Sequence, residues 1–210
     1  MRILVKRKAL SEILKWTQRL FFAGGVLLLG YCGFVVADAW VFQQRESRDL
    51  QRLLEHHKAG GNVAQFRHVT LTPGPPAIAA RGLIGRIKIS RLELSAVVIE
   101  GDDSKTLRRA VGHIPGTPLP GQPGNVALTG HRDTFFRPLR KIRANDIIVL
   151  TTLQGEYRYR VVSTRVVSPD NVAVLNASEG EVLTLVTCYP FYFVGSAPNR
   201  FIVRAERVAG

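Results

Sequence analysis

Residues 182–188 read VLTLVTC, and this run decides how the folded part of the chain is built. Its apolar and β-branched residues favour a strand that ends at Cys188. A lone cysteine at a strand end is ordinarily a small buried hydrophobic residue. Two other predicted strand ends change that interpretation, because His131 closes the run ALTGH and Arg200 opens the last strand. The sequence therefore predicts a thiol, an imidazole and a cation at the ends of three strands.

Short apolar or alternating runs recur after residue 80 and predict a mostly-β domain. They cover residues 83–89, 94–100, 125–129, 147–152, 157–165, 182–188 and 201–208. Residues 104–110 predict one or two helical turns, capped by Asp103 or Ser104. Seven or so short strands with little helix are typical of a small β-barrel or sandwich.

Cysteine, histidine and a cation are the parts of a thiol acyl-transfer site. The thiol attacks a carbonyl, the imidazole moves a proton to and from the leaving amine, and the cation stabilises negative charge on oxygen. Gly130, directly before His131, lets another part of the chain approach closely. His131, Cys188 and Arg200 lie 57 and 12 positions apart, so their spacing alone does not bring them together.

An uncharged run of eighteen residues, 20–37, predicts a transmembrane helix. About twenty residues of helix cross the hydrocarbon core, and Trp16 and Trp40 are aromatic residues of the interfacial type at its borders. Residues 1–19 carry a net charge of +5 and are expected to stay in the cytoplasm as a basic tail. The pattern therefore predicts a single span in the cytoplasmic (inner) membrane, with the N-terminus inside and the rest of the chain outside.

Two alternatives to a permanent anchor stay open. A cleaved signal peptide would have a shorter apolar core and a small-x-small cleavage site, which residues 37–39 match loosely. A buried core helix is disfavoured because no polar face appears over eighteen residues. Cys32, inside this run, is interpreted as an apolar filler.

The net charge of +13 raises the question of nucleic-acid binding. After the apolar run the basic residues are scattered singly, and no nucleic-acid motif is present. The charge is better explained by proximity to anionic lipid or cell-wall polymer, so we expect no nucleic-acid partner.

Residues 39–58 predict a charged helix with only a partial apolar face, which indicates a stalk rather than a core element. Residues 72–76, TPGPP, predict a stiff extended linker. The expected organisation is thus a tail at 1–19, a span at 20–37, a helical stalk and proline-rich linker at 38–79, and a catalytic domain at 80–208.

The motifs at these strand ends resemble those of the sortase family. TLVTC at 184–188 matches the family's TLxTC signature, TGH at 129–131 matches its histidine motif, and Arg200 occupies its strand-opening arginine position. The continuation CYPF at 188–191 and the run APNRF at 197–201 look most like class D sortases. A lid motif of the pilin-polymerising class is absent from the sequence ahead of the domain.

The resemblance implies an eight-stranded sortase-type β-barrel with short helices, behind one transmembrane helix. It implies a cysteine transpeptidase that cleaves a C-terminal signal similar to Leu-Pro-x-Thr-Gly on exported proteins and joins them to an amine acceptor such as a peptidoglycan precursor. Cys188 would be the nucleophile, His131 the general acid and base, and Arg200 the residue that binds substrate backbone and stabilises the oxyanion. Thr187 and Ala127 would line the peptide groove.

This chemistry needs no metal or organic cofactor. Calcium binding by Glu100, Asp102 and Asp103 is a weaker alternative to solvated turn carboxylates. His113 lacks the motif of the acid-base histidine and is interpreted as structural or groove-lining. Two other functions stay open: a thiol hydrolase in which water resolves the acyl-enzyme, and a silent membrane-tethered binding module in which Cys188 only packs.

Overall fold

The computed structural model describes residues 2–60, 82–193 and 195–208, with side chains of the first segment described from residue 10 to residue 55. Contacts within the chain define two compact units, Met1–Val41 and Phe42–Gly210. The linker predicted at 72–76 lies outside the described residues.

A single helix, α1, spans Arg2–Gly60 and contains both helices predicted from the sequence. Its apolar side chains point outward: Leu20, Phe21 and Leu27 are 74, 76 and 75% exposed. Leucine and phenylalanine exposed all round a helix require apolar surroundings. Of the helices in the described part of the chain, α1 alone is long and apolar enough to cross a membrane.

The described residues of the second unit form eight strands, which confirms the predicted mostly-β fold. The strands are β1 (Leu83–Ile89), β2 (Leu94–Glu100), β3 (Val111–His113), β4 (Gly124–Thr129), β5 (Ile147–Thr152), β6 (Gly155–Val167), β7 (Glu181–Tyr189) and β8 (Asn199–Arg207). They close into a barrel in the order β1-β2-β3-β4-β7-β8-β6-β5. A short helix, α2 (Ser104–Arg109), is capped by the side chain of Asp103, one of the two caps predicted for it.

The β4–β7 pair is parallel, and so is the β2–β3 pair, whereas the other neighbouring strands are antiparallel. Alternate side chains fill the barrel interior, as the two-residue period of a strand requires. In β7 these are Leu183 and Leu185, and in β8 they are Val203 and Ala205. Residues of the opposite parity therefore point away from the interior.

The part of α1 that follows Val41 packs on the outside of the barrel through the partial apolar face that the sequence shows there. Leu50 is 2% exposed and belongs to a hydrophobic cluster with Leu83 and Val97. The Gln43 side chain accepts a hydrogen bond from the Val97 N–H at 2.9 Å. Strand β3 is too short to pair at Val97, so Gln43 satisfies a donor that the sheet leaves open.

Candidate active site

The parallel pairing of β4 with β7 brings the predicted base to the predicted nucleophile. Each β4 residue faces the β7 residue 57 positions later, up to Thr129 opposite Val186. Two bonds continue this pairing past the strand: Gly130 N–H donates to the Val186 carbonyl at 3.2 Å, and the Thr187 hydroxyl donates to the Gly130 carbonyl at 2.7 Å. The next residue pair in this register is His131 with Cys188, whose separation in sequence equals the register offset.

The antiparallel pairing of β7 with β8 places the cation on the other side of the thiol. Cys188 and Arg200 are direct register partners. The spacing of twelve positions therefore covers the end of β7, the loop and the start of β8, which together bring the two residues back opposite each other. Three adjacent strands thus present the imidazole, the thiol and the guanidinium in one row, with neighbouring strands about 4.8 Å apart.

The three groups also share one face of the sheet. Leu185 points into the barrel, so Cys188, three positions later, lies on the outer face. The same alternation puts Arg200 outside, because Val203 is inside. Gly130 continues the β4 ladder by its bond to Val186, and extending the alternation from Leu128 by this route puts His131 outside as well. All three side chains are half-buried, and Cys188 is a free thiol. The barrel's outer surface at this end is therefore the candidate active site.

Arg200 is held by the loop that precedes it. Its Nη1 group donates to the Asn199 carbonyl at 3.1 Å and to the Ala197 carbonyl at 3.3 Å. Its contacts within the described chain use Nη1 alone, which leaves Nε and Nη2 free to donate to oxygen atoms of a bound peptide. A planar guanidinium suits this task because its donors are arranged in a fixed fork.

Gly130 permits the close approach predicted for it, and the approaching group is the Phe136 ring. A Cβ atom at Gly130 would lie 3.0 Å from two carbons of that ring. Phe136 is fully buried, and its N–H donates to the His131 carbonyl at 3.1 Å. A side chain at residue 130 would push Phe136 away and loosen the turn that carries His131.

The expectation that Ala127 and Thr187 line a peptide groove needs correction. Ala127 is 0% exposed and Thr187 is 2% exposed, so neither side chain is open to a ligand. Thr187 has the interior parity of β7, and its hydroxyl bonds to Gly130. It links the residue before the nucleophile to the residue before the base, which is a positioning role.

Arg132 is a site residue that the sequence analysis did not single out. Its guanidinium donates to three carbonyls of the loop between β7 and β8: Pro190 at 3.1 Å, Phe193 at 2.8 Å and Gly195 at 2.9 Å. It also lies 5.8 Å from the centre of the Phe193 ring. Arg132, the residue after His131, therefore holds the loop that follows Cys188 close to the histidine. Its one sequence signal is its place beside the histidine motif.

Two of the three carboxylates considered for calcium, Glu100 and Asp103, have other partners. Glu100 Oε2 lies 2.7 Å from His113 Nδ1, and His113 is 2% exposed, which assigns that histidine a structural role away from the groove. Asp103 accepts bonds from Thr106 and Lys105, and these bonds, led by that of the Thr106 hydroxyl, lower the pKa of Asp103. The described residues contain no group of three or more histidine, cysteine or acidic side chains that could hold a metal.

Comparisons with known proteins place the chain among the sortases. The model of the sortase domain matches residues 87–208. Sortase D of Bacillus subtilis is 30% identical over 197 residues, covering 89% of this chain and 94% of that protein. Among solved structures, a Clostridium perfringens sortase D5 transpeptidase shares the fold with a TM-score of 0.64 at 24% identity, covering 80% of this chain and 99% of that one. Sortase C-1 of Actinomyces oris has a TM-score of 0.58 at 28% identity, covering 77% and 99%.

Proposed function

The chain belongs to the sortase family, and we propose that Cys188, His131 and Arg200 carry out its reaction. Sortases are cysteine transpeptidases, and assignment to class D is supported by the similarity to a sortase D at 30% identity. The observation that supports the three residues is the strand register: Cys188 and Arg200 are direct partners in β7 and β8, and His131 follows the end of β4, which pairs with the other side of β7.

In the first half-reaction, the Cys188 thiol passes its proton to His131, and Sγ bonds to the carbonyl carbon of the scissile peptide. Arg200 donates to the developing oxyanion, which is the largest single contribution in many acyl transfers. The C–N bond then breaks while His131 gives a proton to the leaving amine, so the products are a thioester and a free amine. In the second half-reaction an incoming amine attacks the thioester carbon, the C–S bond breaks, and the amine's proton passes through His131 to the thiolate.

Sortases act on proteins that carry a sorting signal and on amine acceptors. For this chain we propose exported proteins with a C-terminal signal similar to Leu-Pro-x-Thr-Gly as donors. We propose an amine of the cell envelope, such as that of a peptidoglycan precursor, as acceptor. Sortases generally need no cofactor. We propose that calcium is not required here, because Glu100 already pairs with His113 and Asp103 already caps α2.

The apolar part of α1 supports a single-pass membrane anchor. We propose that residues 20–37 span the cytoplasmic membrane, that the basic residues 1–19 stay inside, and that the catalytic domain at 80–208 lies outside. Protease added to intact spheroplasts tests this orientation. It should remove the barrel and spare the first nineteen residues.

The proposal is tested with the full-length chain in detergent, a Leu-Pro-x-Thr-Gly-like peptide and an added amine. Mass spectrometry should detect a peptide–enzyme thioester and an amine-linked product. Cys188→Ala should abolish both without disturbing the fold, because it changes one small half-buried side chain. Cys32→Ala, the matched control in α1, should keep full activity. Cleavage by the Cys188→Ala chain would overturn the proposal, and cleavage with water as the sole acceptor would identify a thiol hydrolase.

A further inference from the structure

A basic cleft is lined by part of the segment that follows His131. Its two walls are residues 91–93 and residues 134–141, and its volume is about 580 Å³. Three of its lining residues, Arg137, Arg140 and Lys141, lie on one short 3₁₀ turn. Residues three apart on such a turn project from the same side, so Arg137 and Arg140 crowd like charges together.

These three cations are not neutralised by the protein. Arg91, the fourth cation of the cleft, is bonded through Nε and Nη2 to the buried carboxylate of Asp146. Arg137, Arg140 and Lys141 are exposed, and within the described part of the chain none of them has an ion-pair partner. Glu93 is the one carboxylate that lines the cleft. The cleft therefore carries excess positive charge that an anionic ligand would relieve.

One wall of the cleft follows His131 in sequence and also contacts a residue that follows Cys188. This wall, residues 134–141, is anchored by the buried Phe136. The Arg140 guanidinium lies 5.4 Å from the centre of the Tyr192 ring, and Tyr192 is four residues after Cys188. A ligand in the cleft thus contacts the segment that follows His131, and that segment is itself in contact with Tyr192.

We propose that the basic cleft binds an anionic group, a carboxylate or a phosphate, carried by the amine acceptor. The inference rests on the proposed function, because it assigns the cleft to the second half-reaction. Cations of Arg137 and Lys141 hold the anion while the uncharged end of the acceptor reaches the thioester. The chemical step is unchanged: the amine nitrogen bonds to the carbonyl carbon, the C–S bond breaks, and one proton moves from the amine to sulfur through His131.

Matched amines test this directly with the full-length chain in detergent. Hexylamine, aminohexanoate and aminohexyl phosphate share a six-carbon amine and differ in the group at the far end. We expect the wild-type chain to use one or both anionic amines with a kcat/KM about tenfold above that of hexylamine. The advantage should shrink at high salt, because screening weakens exposed ion pairs. A preference for the carboxylate identifies a peptide-like acceptor, and a preference for the phosphate identifies a phosphorylated one.

The double variant Arg137→Gln/Lys141→Gln should lose this advantage, while its rates with hexylamine and with water stay unchanged. The control is Lys105→Gln/Arg108→Gln, which removes two exposed cations from α2 and should retain the preference. Equal use of the three amines by the wild-type chain would overturn the cleft proposal, and so would an equal loss in the control. In either of these outcomes hexylamine product still forms, whereas failure of the proposed function would show as no amine product at all.

Discussion

The catalytic strands and the rim of the site are held in different ways. The strands β4, β7 and β8 position Cys188 and Arg200 through continuous backbone pairing. The rim consists of residues 132–141, 190–193 and 195–198, and side chains join its first part to the other two. Arg132 donates to three carbonyls of those two parts, and Arg140 lies over Tyr192, which is 76% exposed.

The difference predicts separate roles: the catalytic strands set the reaction rate, and the rim sets recognition of the peptide and the amine. Reacting groups must be held to within a fraction of an ångström, and paired strands supply that precision without extra contacts. A rim held by a few side chains can adjust to the peptide or amine that it contacts. We therefore expect changes in the catalytic strands to lower kcat and changes in the rim to alter KM or acceptor choice.

The largest effect is expected at His131, the base that continues strand β4. His131→Ala removes the proton donor for the leaving amine and should lower kcat by about two to four decades. Single-turnover measurement of thioester formation checks this result. Normal turnover in the variant would show that the row of three residues is not the reacting unit.

Arg200→Lys tests the other side of the row. Lysine keeps the charge but loses the fork of donors, so kcat should fall about a hundredfold, equivalent to about 3 kcal/mol of transition-state stabilisation. Steady-state kinetics with a fixed amine measure the change. Near-native kcat would mean that charge alone suffices, and the oxyanion role assigned to Arg200 would be wrong.

A rim residue should behave differently. Arg132→Lys replaces a group that spans three carbonyls by a compact ammonium, which loosens the loop after Cys188. We expect KM for the sorting peptide to rise about tenfold with little change in kcat. Arg108→Lys, on α2, is the control and should change neither constant. If Arg132→Lys lowered kcat at unchanged KM, the rim would also position the reacting groups, and the distinction between rim and strands would be wrong.

The smallest effect concerns the stability of an ion pair next to the rim, where Arg91 also donates to the Lys141 carbonyl. The Arg91 guanidinium, with help from the Arg143 N–H, holds the pKa of Asp146 below its ordinary value. A carboxyl with a lowered pKa stabilises the fold above its ordinary pKa, near 4, and that contribution is lost as the pH falls through the lowered value. Asp146→Asn should therefore destabilise the chain by about 1–2 kcal/mol at neutral pH, and less in acid.

Thermal unfolding in one detergent at several pH values measures this difference. The melting temperatures of the wild-type and Asp146→Asn chains should differ by a few degrees at pH 7 and converge below about pH 4. A difference independent of pH would show that packing, rather than the ion pair with Arg91, accounts for the stabilisation.

Local sequence patterns located most of the strands. The limits of β1, β2 and β5 match the predicted ones, because β1 alternates apolar and polar residues and the other two are short runs rich in apolar and β-branched residues. Strand β3 was missed because three residues show no period, and its pairing depends on β2 and β4. The packing of α1 on the barrel was also missed, since Leu50 and Gln43 gain their partners only when β2 is in place.

The sequence by itself determined the identity of the reacting groups, because the TLVTC, TGH and arginine motifs are read directly from neighbouring residues. It also determined the apolar run of α1, which depends on composition alone. The tertiary structure decided how spacings of 57 and 12 residues become one row, since a register offset is a property of two paired strands. It likewise decided that Thr187 is buried, that Arg132 holds the loop, and that three cations share a cleft, because each of these depends on what lies opposite in space.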